Sequence, residues 1–467
     1  MSSPLNHSIN SEIPEEYKRV TYLSFVQLCN LIYNIGINGY IWTIDAEDAY
    51  YRIPVNKKYY HLLGIKWRNK YIFFKCLPFG LSTAPSIYNQ FADGLKWACE
   101  HHYPNTFYSK ITNSFNIDHY LDDFVGGNSN FDISKKQMSI LENIFKYLNI
   151  PTSKRKCIGP FQTIDVLGYT FSTLILITIA IQEKKRIKYL KFIKNILSNN
   201  FITINLYEKV TGYTRHCTNI IPNAKSFCRG FDHHKHFLIK AAKDDITITG
   251  NKKFNISKES RFDLLIWKSL LSNLEYYTLP IKFIIKPNNL PTIHVYTDAT
   301  TTIGFGGFTT NGRYFQSKWD KLNLPYTFYL KQKDIINVLE LYAIVLAAEL
   351  YGKYWKHHLI IFHSDNKTAV RAASKCSVNL NSDNYYAMAN ITKHLALLSI
   401  KYNFQYNSIH IEGKKNTIAD ALSRFFPNPL NYTQINLPKI KFSISPTRCS
   451  LKMNTLIIKT FKNEFFI

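Results

Sequence analysis

Acid is scarce in this sequence. Only 32 of its 467 residues are Asp or Glu, against 58 Lys or Arg, and the formal net charge is +26. An excess of that size points to a polyanionic partner. The positive charge is spread along the chain rather than gathered on one amphipathic basic helix, so an anionic membrane is not expected as that partner. Closely spaced cysteines are missing too. Cys29, Cys76, Cys99, Cys157, Cys217, Cys228, Cys376 and Cys449 are scattered and none forms a Cys-x-x-Cys pair, which argues against a zinc ribbon. They read as reduced thiols of an intracellular protein, cytoplasm and nucleus not being distinguishable. No basic-then-apolar leader opens the chain, and the longest apolar run, 174–181, is too short to span a bilayer and reads as a strand. With 46% hydrophobic and 15% aromatic residues the chain is globular, long enough for two to four domains.

The few acids present are oddly placed. In His119-Tyr120-Leu121-Asp122-Asp123-Phe124-Val125 two adjacent carboxylates interrupt an aromatic and β-branched run, which reads as two strands meeting at a tight turn. Uncompensated burial of two like charges costs several kcal/mol, so a cation is expected beside them. A second acid, Asp45, ends an apolar strand over 40–45 and is followed by Glu47-Asp48-Ala49-Tyr50. Two strand-end carboxylate sites brought together can hold a pair of Mg²⁺ ions about 3.5–4 Å apart.

Tyr120-Leu121-Asp122-Asp123 resembles the Tyr-x-Asp-Asp box of reverse transcriptases. Asp45 with Asp48-Ala49-Tyr50 resembles their first catalytic motif, and Leu77-Pro78-Phe79-Gly80-Leu81-Ser82-Thr83-Ala84-Pro85 the motif between them. The resemblance implies an α+β right-hand polymerase: residues 1–182 as fingers and palm, short at the N-terminus, and 183–286 as thumb and connection. Helices are expected over 23–35, 82–99 and 134–148, a hairpin over 59–74 around Arg68-Asn69, a second one bending at Gly168, and an irregular entry over 1–20. The thumb would open with a basic helix whose apolar stripe is Ile187, Leu190, Ile193 and Leu197, among Lys184, Lys185, Arg186, Lys188, Lys191 and Lys194.

After the linker Lys286-Pro287-Asn288-Asn289-Leu290-Pro291 comes a second acidic set: Asp298 on a strand, Glu340 on a helix over 338–350, Asp365 ending a strand that starts at Leu359, and Asp420 ten positions after His410. These four, with Ala419-Asp420-Ala421-Leu422-Ser423-Arg424, resemble the Asp-Glu-Asp-Asp set of retroelement ribonuclease H. That implies an α/β ribonuclease H-like domain over 287–426 with a mixed five-stranded sheet, followed by a tail over 427–467 with a strand at 456–458. Further likeness in Asn6-His7-Ser8-Ile9-Asn10, Ile13-Pro14 and His61-Leu62-Leu63-Gly64-Ile65-Lys66-Trp67 is to the DIRS type, with the gypsy type second. No aspartic protease motif before the polymerase and no zinc-binding integrase after it favour the former.

The resemblance implies Mg²⁺, with Mn²⁺ as a substitute, held by Asp45, Asp122 and Asp123 in one site and by Asp298, Glu340, Asp365 and Asp420 in the other. Ala49, Tyr50, Phe79 and Gly80 would line the nucleotide pocket, Tyr50 as the gate against a ribose 2′-hydroxyl. Lys156, with Lys154 as its fallback, would protonate pyrophosphate, 166–171 would grip the primer, and His410 would assist product release or proton transfer. The expected partners are an RNA template, a DNA primer, RNA–DNA hybrid and dNTPs; the oligomeric state is open. One departure stands out: the only Lys or Arg ahead of Asp45 are Lys18 and Arg19, so most of the finger strands that hold a triphosphate are missing from the pattern. A decayed nucleic-acid-binding remnant and a ribonuclease H with a structural polymerase module are the alternatives.

Overall fold

A computed structural model describes residues 8–101, 115–153, 155–244, 249–285, 290–319, 333–379 and 382–424. The tail over 427–467 with its expected strand, Lys154, and 286–289 of the linker lie outside these residues. The chain divides into two compact units, one of Met1–Glu183 with Thr278–Ile285, the other of Lys184–Tyr277 with Lys286–Ile467.

The first unit is built on strands β1 (Tyr40–Asp45), β2 (Gly64–Trp67), β3 (Lys70–Phe73), β4 (Ile117–Tyr120), β5 (Asp123–Asn128) and β6 (Ile158–Phe161). Four of them form an antiparallel sheet in the order β4-β5-β1-β6. Ile41, Trp42 and Ile44 of the central strand β1 are fully buried. Helices Ala84–His101 and Phe131–Tyr147 cover one face of this sheet, packing Tyr88, Ala92, Leu95, Leu141 and Phe145 on Trp42, Ile44 and Phe124. Helix Phe25–Ile35 is set by a capping box between Ser24 and Gln27 and ends at Gly36, whose φ of 92° suits glycine. It packs on the Gly127 side of β5, where a Cβ would sit 2.7 Å from the Ile35 side chain. A second sheet, order β12-β9-β8-β7, is formed by β7 (Thr163–Val166), β8 (Tyr169–Ser172), β9 (Thr178–Ile181) and β12 (Thr278–Pro280). Its β7–β8 turn, Leu167-Gly168, has both residues at positive φ, as a two-residue type I′ hairpin requires.

Three local expectations change. The irregular entry carries two short helices, Ile9–Glu12 and Glu15–Lys18, the first capped by Ser8. Of the hairpin expected over 59–74 only Gly64–Phe73 is strand; Lys57–Leu63 is a 3₁₀ helix started by the Asn56 side chain. The apolar run 174–181 is strand only from Thr178. Ser172 pairs with Thr178, so the residues between must reverse the chain, and Ile175 is 92% exposed at the bend.

The second unit begins with helices Glu183–Asn199, Ile204–Thr218, Arg229–Asp244 and Lys258–Ser272 and the short pair β10 (Phe201–Ile202) and β11 (Phe254–Asn255). The buried stripe of the first helix is Tyr189, Ile193, Ile196 and Leu197, rotated from the expected one, and Ile187 is exposed. The Tyr189 ring stacks on Tyr213 at 4.2 Å, and Arg186 turns inward to donate to the Leu271 carbonyl at 2.8 Å. The rotation leaves Lys184, Lys188, Lys191 and Lys194 on one exposed face.

A mixed five-stranded sheet follows, order β15-β14-β13-β16-β17, from β13 (Thr292–Ala299), β14 (Gly304–Thr309), β15 (Tyr314–Lys318), β16 (Leu359–Ser364) and β17 (Gln405–His410). The first three pair antiparallel, and β16 runs parallel to both β13 and β17. Helices Ile335–Tyr351 and Tyr385–Tyr402 bury one face; helix Thr417–Ser423 packs Ala419 and Leu422 on Phe308 from the other. The segment Ile335–Tyr354 has the length and apolarity of a membrane span, but 72% of it is buried in the protein, as befits a core helix. The buried Lys393 ammonium of Tyr385–Tyr402 reaches Asp263 at 2.7 Å and Glu259 at 3.1 Å on Lys258–Ser272. Asp263 is itself fully buried and accepts from the Gly230 amide at 2.7 Å. An internal ion pair thus ties the helical segment to the sheet module inside one unit.

Candidate active sites

The first acidic site is made by strand register. Asp45 closes β1 and Asp123 opens β5, and the two are direct cross-strand partners. Partners project to the same face of a sheet, so the carboxylates meet. The β4–β5 turn consists of Leu121 and Asp122, with Leu121 at φ 55°. A branched residue there costs about 1–3 kcal/mol and persists only where its surroundings hold it. Here the Ala46 amide donates to the Asp122 carbonyl at 3.0 Å, and Tyr22 stacks on Tyr120 at 5.1 Å.

Lys156 Nζ lies 2.6 Å from Asp45 Oδ1, its backbone carbonyl accepting from the Thr43 hydroxyl at 3.1 Å. Burial raises Asp122, with Asp45 adding to it. Burial, the adjoining Asp45 carboxyl and the charge of Asp122 push Asp123 up to about 7. Contact with Asp45 raises Lys156 in turn. Such crowding is what a bound cation relieves.

The residues expected in the pocket gather at this site. Asp48, at φ 57°, starts the 3₁₀ turn Ala49–Arg52, which carries Ala49 and Tyr50. The Tyr50 ring meets Phe79 edge-on at 5.2 Å and Tyr88 at 5.8 Å. Burial raises the Tyr50 phenol, with Tyr22, Asp122 and Tyr120 adding to it, which puts Tyr50 beside the acids. Phe79 is exposed and Gly80 has φ 90°. Asn10 clasps this turn: its Nδ2 donates to the Gly80 carbonyl at 2.7 Å and its Oδ1 accepts from the Ser82 amide at 2.8 Å. No role was expected of Asn10 or Tyr22; Asn10 stood within a quoted motif, while Tyr22 carried no signal at all.

The second site assembles Asp298 from β13, Asp365 just beyond β16 and Glu340 from Ile335–Tyr351, with ligand oxygens all within 4.8 Å of one another. The parallel pairing of β13 with β16 brings the two aspartates to the same end of the sheet. Glu340 accepts from the Ala299 amide at 3.3 Å and the Ser364 hydroxyl at 3.1 Å. Burial and the charges of Asp298 and Asp365 still push it up to about 9. Burial raises Asp298 to about 6 against a hydrogen bond from the Ser423 hydroxyl at 2.5 Å. His410 is the register partner of Ser364, and its Nε2 lies 3.1 Å from the Asp365 carbonyl. Asp420 stands outside the three-acid group: Arg424 Nε and Nη2 both lie 2.8 Å from its Oδ1, although its charge is felt by Asp298. The i,i+4 spacing of Asp420 and Arg424 was the available signal for that pair.

Residues 21–171, within the first unit, match the family described as reverse transcriptase (RNA-dependent DNA polymerase). A search of curated proteins finds no match. Among solved structures the chain is similar to a foamy viral protease-reverse transcriptase dRH in complex with double-stranded DNA, at 16% identity and a TM-score of 0.39, over 81% of this chain and 58% of that one. It is similar also to the foamy viral protease-reverse transcriptase in complex with RNA/DNA hybrid, at 15% identity and a TM-score of 0.38, over 91% and 48%. The same protein in complex with double-stranded DNA gives 16% identity and a TM-score of 0.39, over 86% and 73%. The chain thus spans about half the length of the first two.

Proposed function

We propose that the chain is an RNA-directed DNA polymerase with a linked ribonuclease H, encoded by a retroelement of the DIRS type, with the gypsy type second. The observation that carries the polymerase reading is the register pair Asp45–Asp123, made inside the segment that matches the reverse transcriptase family. The three-acid group of the second unit supports the nuclease reading.

Both acid sets suit divalent cations: they are carboxylate-only and crowded enough to hold protons at neutral pH. Asp45, Asp122 and Asp123 would hold Mg²⁺ or Mn²⁺ in one site, and Asp298, Glu340 and Asp365 with Asp420 in the other. Mg²⁺ held there would supply Lewis-acid activation of an attacking hydroxyl or water and would offset charge on the leaving group. Lys156, already on Asp45, would deliver a proton to pyrophosphate. Tyr50 would stack on the incoming sugar, with Ala49, Phe79 and Gly80 shaping the pocket. His410, beside Asp365, would move a proton or help product leave. The lysine row of Glu183–Asn199 would follow the phosphates of RNA template, DNA primer and hybrid, inside the cell.

Asp122→Asn is expected to abolish dNTP incorporation on a primed poly(rA) template while cleavage of an RNA–DNA hybrid continues at the wild-type rate. Extension near the wild-type rate in this variant would overturn the metal assignment. Cleavage without extension in the wild type would make the chain a nuclease with a structural polymerase module, and neither activity would make it a binding remnant.

A further inference from the structure

The hairpin β2–β3 carries none of the residues assigned to either acidic site. Among the described residues its two strands pair only with each other, and no residue in either is buried. A two-stranded hairpin alone is marginally stable in water, so a surface this apolar calls for a partner. Trp67 is 61% and Tyr71 70% exposed, and Ile65, Ile72 and Phe73 are exposed with them. Each ring has a cation at hand. Arg68 lies 5.7 Å from the Trp67 ring, and Lys66 lies 5.8 Å from that of Tyr71. Lys70 is the cross-strand partner of Trp67, and Lys66 that of Tyr71. By strand alternation Tyr71 and Phe73 share one face with Lys66, and Trp67 shares the other with Lys70. No Asp or Glu occurs between Asp48 and Asp93, so nothing on this segment neutralises them.

Exposed rings interleaved with unopposed cations match unpaired bases on a phosphate backbone: the rings offer stacking to any base, and the cations meet the charge between bases. A protein partner of ordinary charge would have to bury these cations unpaired. We propose that the β2–β3 hairpin is a stacking platform for a single-stranded nucleic acid, with Trp67 and Tyr71 as its bases' contacts and Lys66, Arg68 and Lys70 as its phosphate contacts. From the polymerase and nuclease reading this takes only the class of ligand.

The test uses the full chain and fluorescence anisotropy with three probes: a blunt RNA–DNA hybrid, the same hybrid with a short oligo(dU) overhang, and oligo(dU) alone. The overhang is expected to tighten binding about tenfold. Trp67→Ala with Tyr71→Ala should remove that gain and weaken oligo(dU) binding comparably, with blunt-hybrid affinity unchanged. Trp67→Phe with Tyr71→Phe should keep the gain, which separates stacking from a folding defect. An overhang that adds nothing in the wild type, or a gain that survives the double alanine variant, overturns the proposal. So does light scattering that finds a wild-type dimer dissociated by the alanines, since the hairpin would then be a protein interface. Failure to bind the blunt hybrid would count against the polymerase and nuclease reading instead, and oligo(dU) would still report on the hairpin.

Discussion

Glu340 meets two opposed demands. To hold the cation proposed for it, it must be a carboxylate, yet it is buried beside Asp298 and Asp365 and its pKa is pushed up to about 9. Below the unfolded value of 4.5 the group is protonated in both states and contributes no penalty. As pH rises from there toward about 9, folding increasingly opposes its ionisation, and stability is lost across that window. Glu340→Gln removes the charge and can still accept from the Ala299 amide and pair with the Ser364 hydroxyl. In EDTA the variant is expected to gain about 2 kcal/mol at pH 8 and almost nothing at pH 4, read by urea unfolding. Added Mg²⁺ should stabilise the wild type more than the variant, and a stability difference independent of pH would refute the account. Tyr50 raises a second question at this scale. Its ring is fixed edge-on between Phe79 and Tyr88. Tyr50→Val should raise incorporation of ribonucleotides relative to deoxyribonucleotides, measured by single-nucleotide extension. An unchanged ratio would leave Tyr50 as a packing residue only.

At the scale of elements, the buried pair Lys393–Asp263 decides what can be cut. Its two halves come from Tyr385–Tyr402 and Lys258–Ser272, on opposite sides of the linker segment. Removing one partner of a buried pair leaves an uncompensated charge and costs about 3–5 kcal/mol. Asp263→Asn alone should lower stability by about 3 kcal/mol in chemical denaturation. Adding Lys393→Met should recover most of the loss, because no buried ammonium remains. A fragment begun near residue 290 would keep Asp298, Glu340, Asp365, His410 and Asp420 but leave Lys393 without Asp263 or Glu259, and should fold less stably than one begun at Lys184. Equal stability of the two fragments would show that the pair contributes nothing.

For the whole molecule the dominant quantity is the net charge of +26. Its organised part is the exposed row Lys184, Lys188, Lys191 and Lys194 on Glu183–Asn199. Affinity for a primer–template should fall linearly in log–log plots against salt, with a slope of about −0.9 for each phosphate neutralised. Replacing the four lysines by Gln should make that slope shallower by roughly 3–4. A salt-independent affinity, or an unchanged slope in the variant, would remove the electrostatic account.

Much of this was legible from residues alone, where the signal is local. Strand β1 ends at Asp45 as its apolar run predicts, and helix Phe25–Ile35 stops at Gly36, because caps, turns and periodicity act within a few residues. The acids of both sites were picked out by motif, and the mixed five-stranded sheet was foreseen. Only the tertiary structure could set Asp45 opposite Asp123, rotate the basic helix onto Tyr189, take Arg186 inward, and bring Lys393 to Asp263. Register, helix rotation and ion-pair choice depend on which distant surfaces compete for burial, and that competition is absent from any short window of the chain.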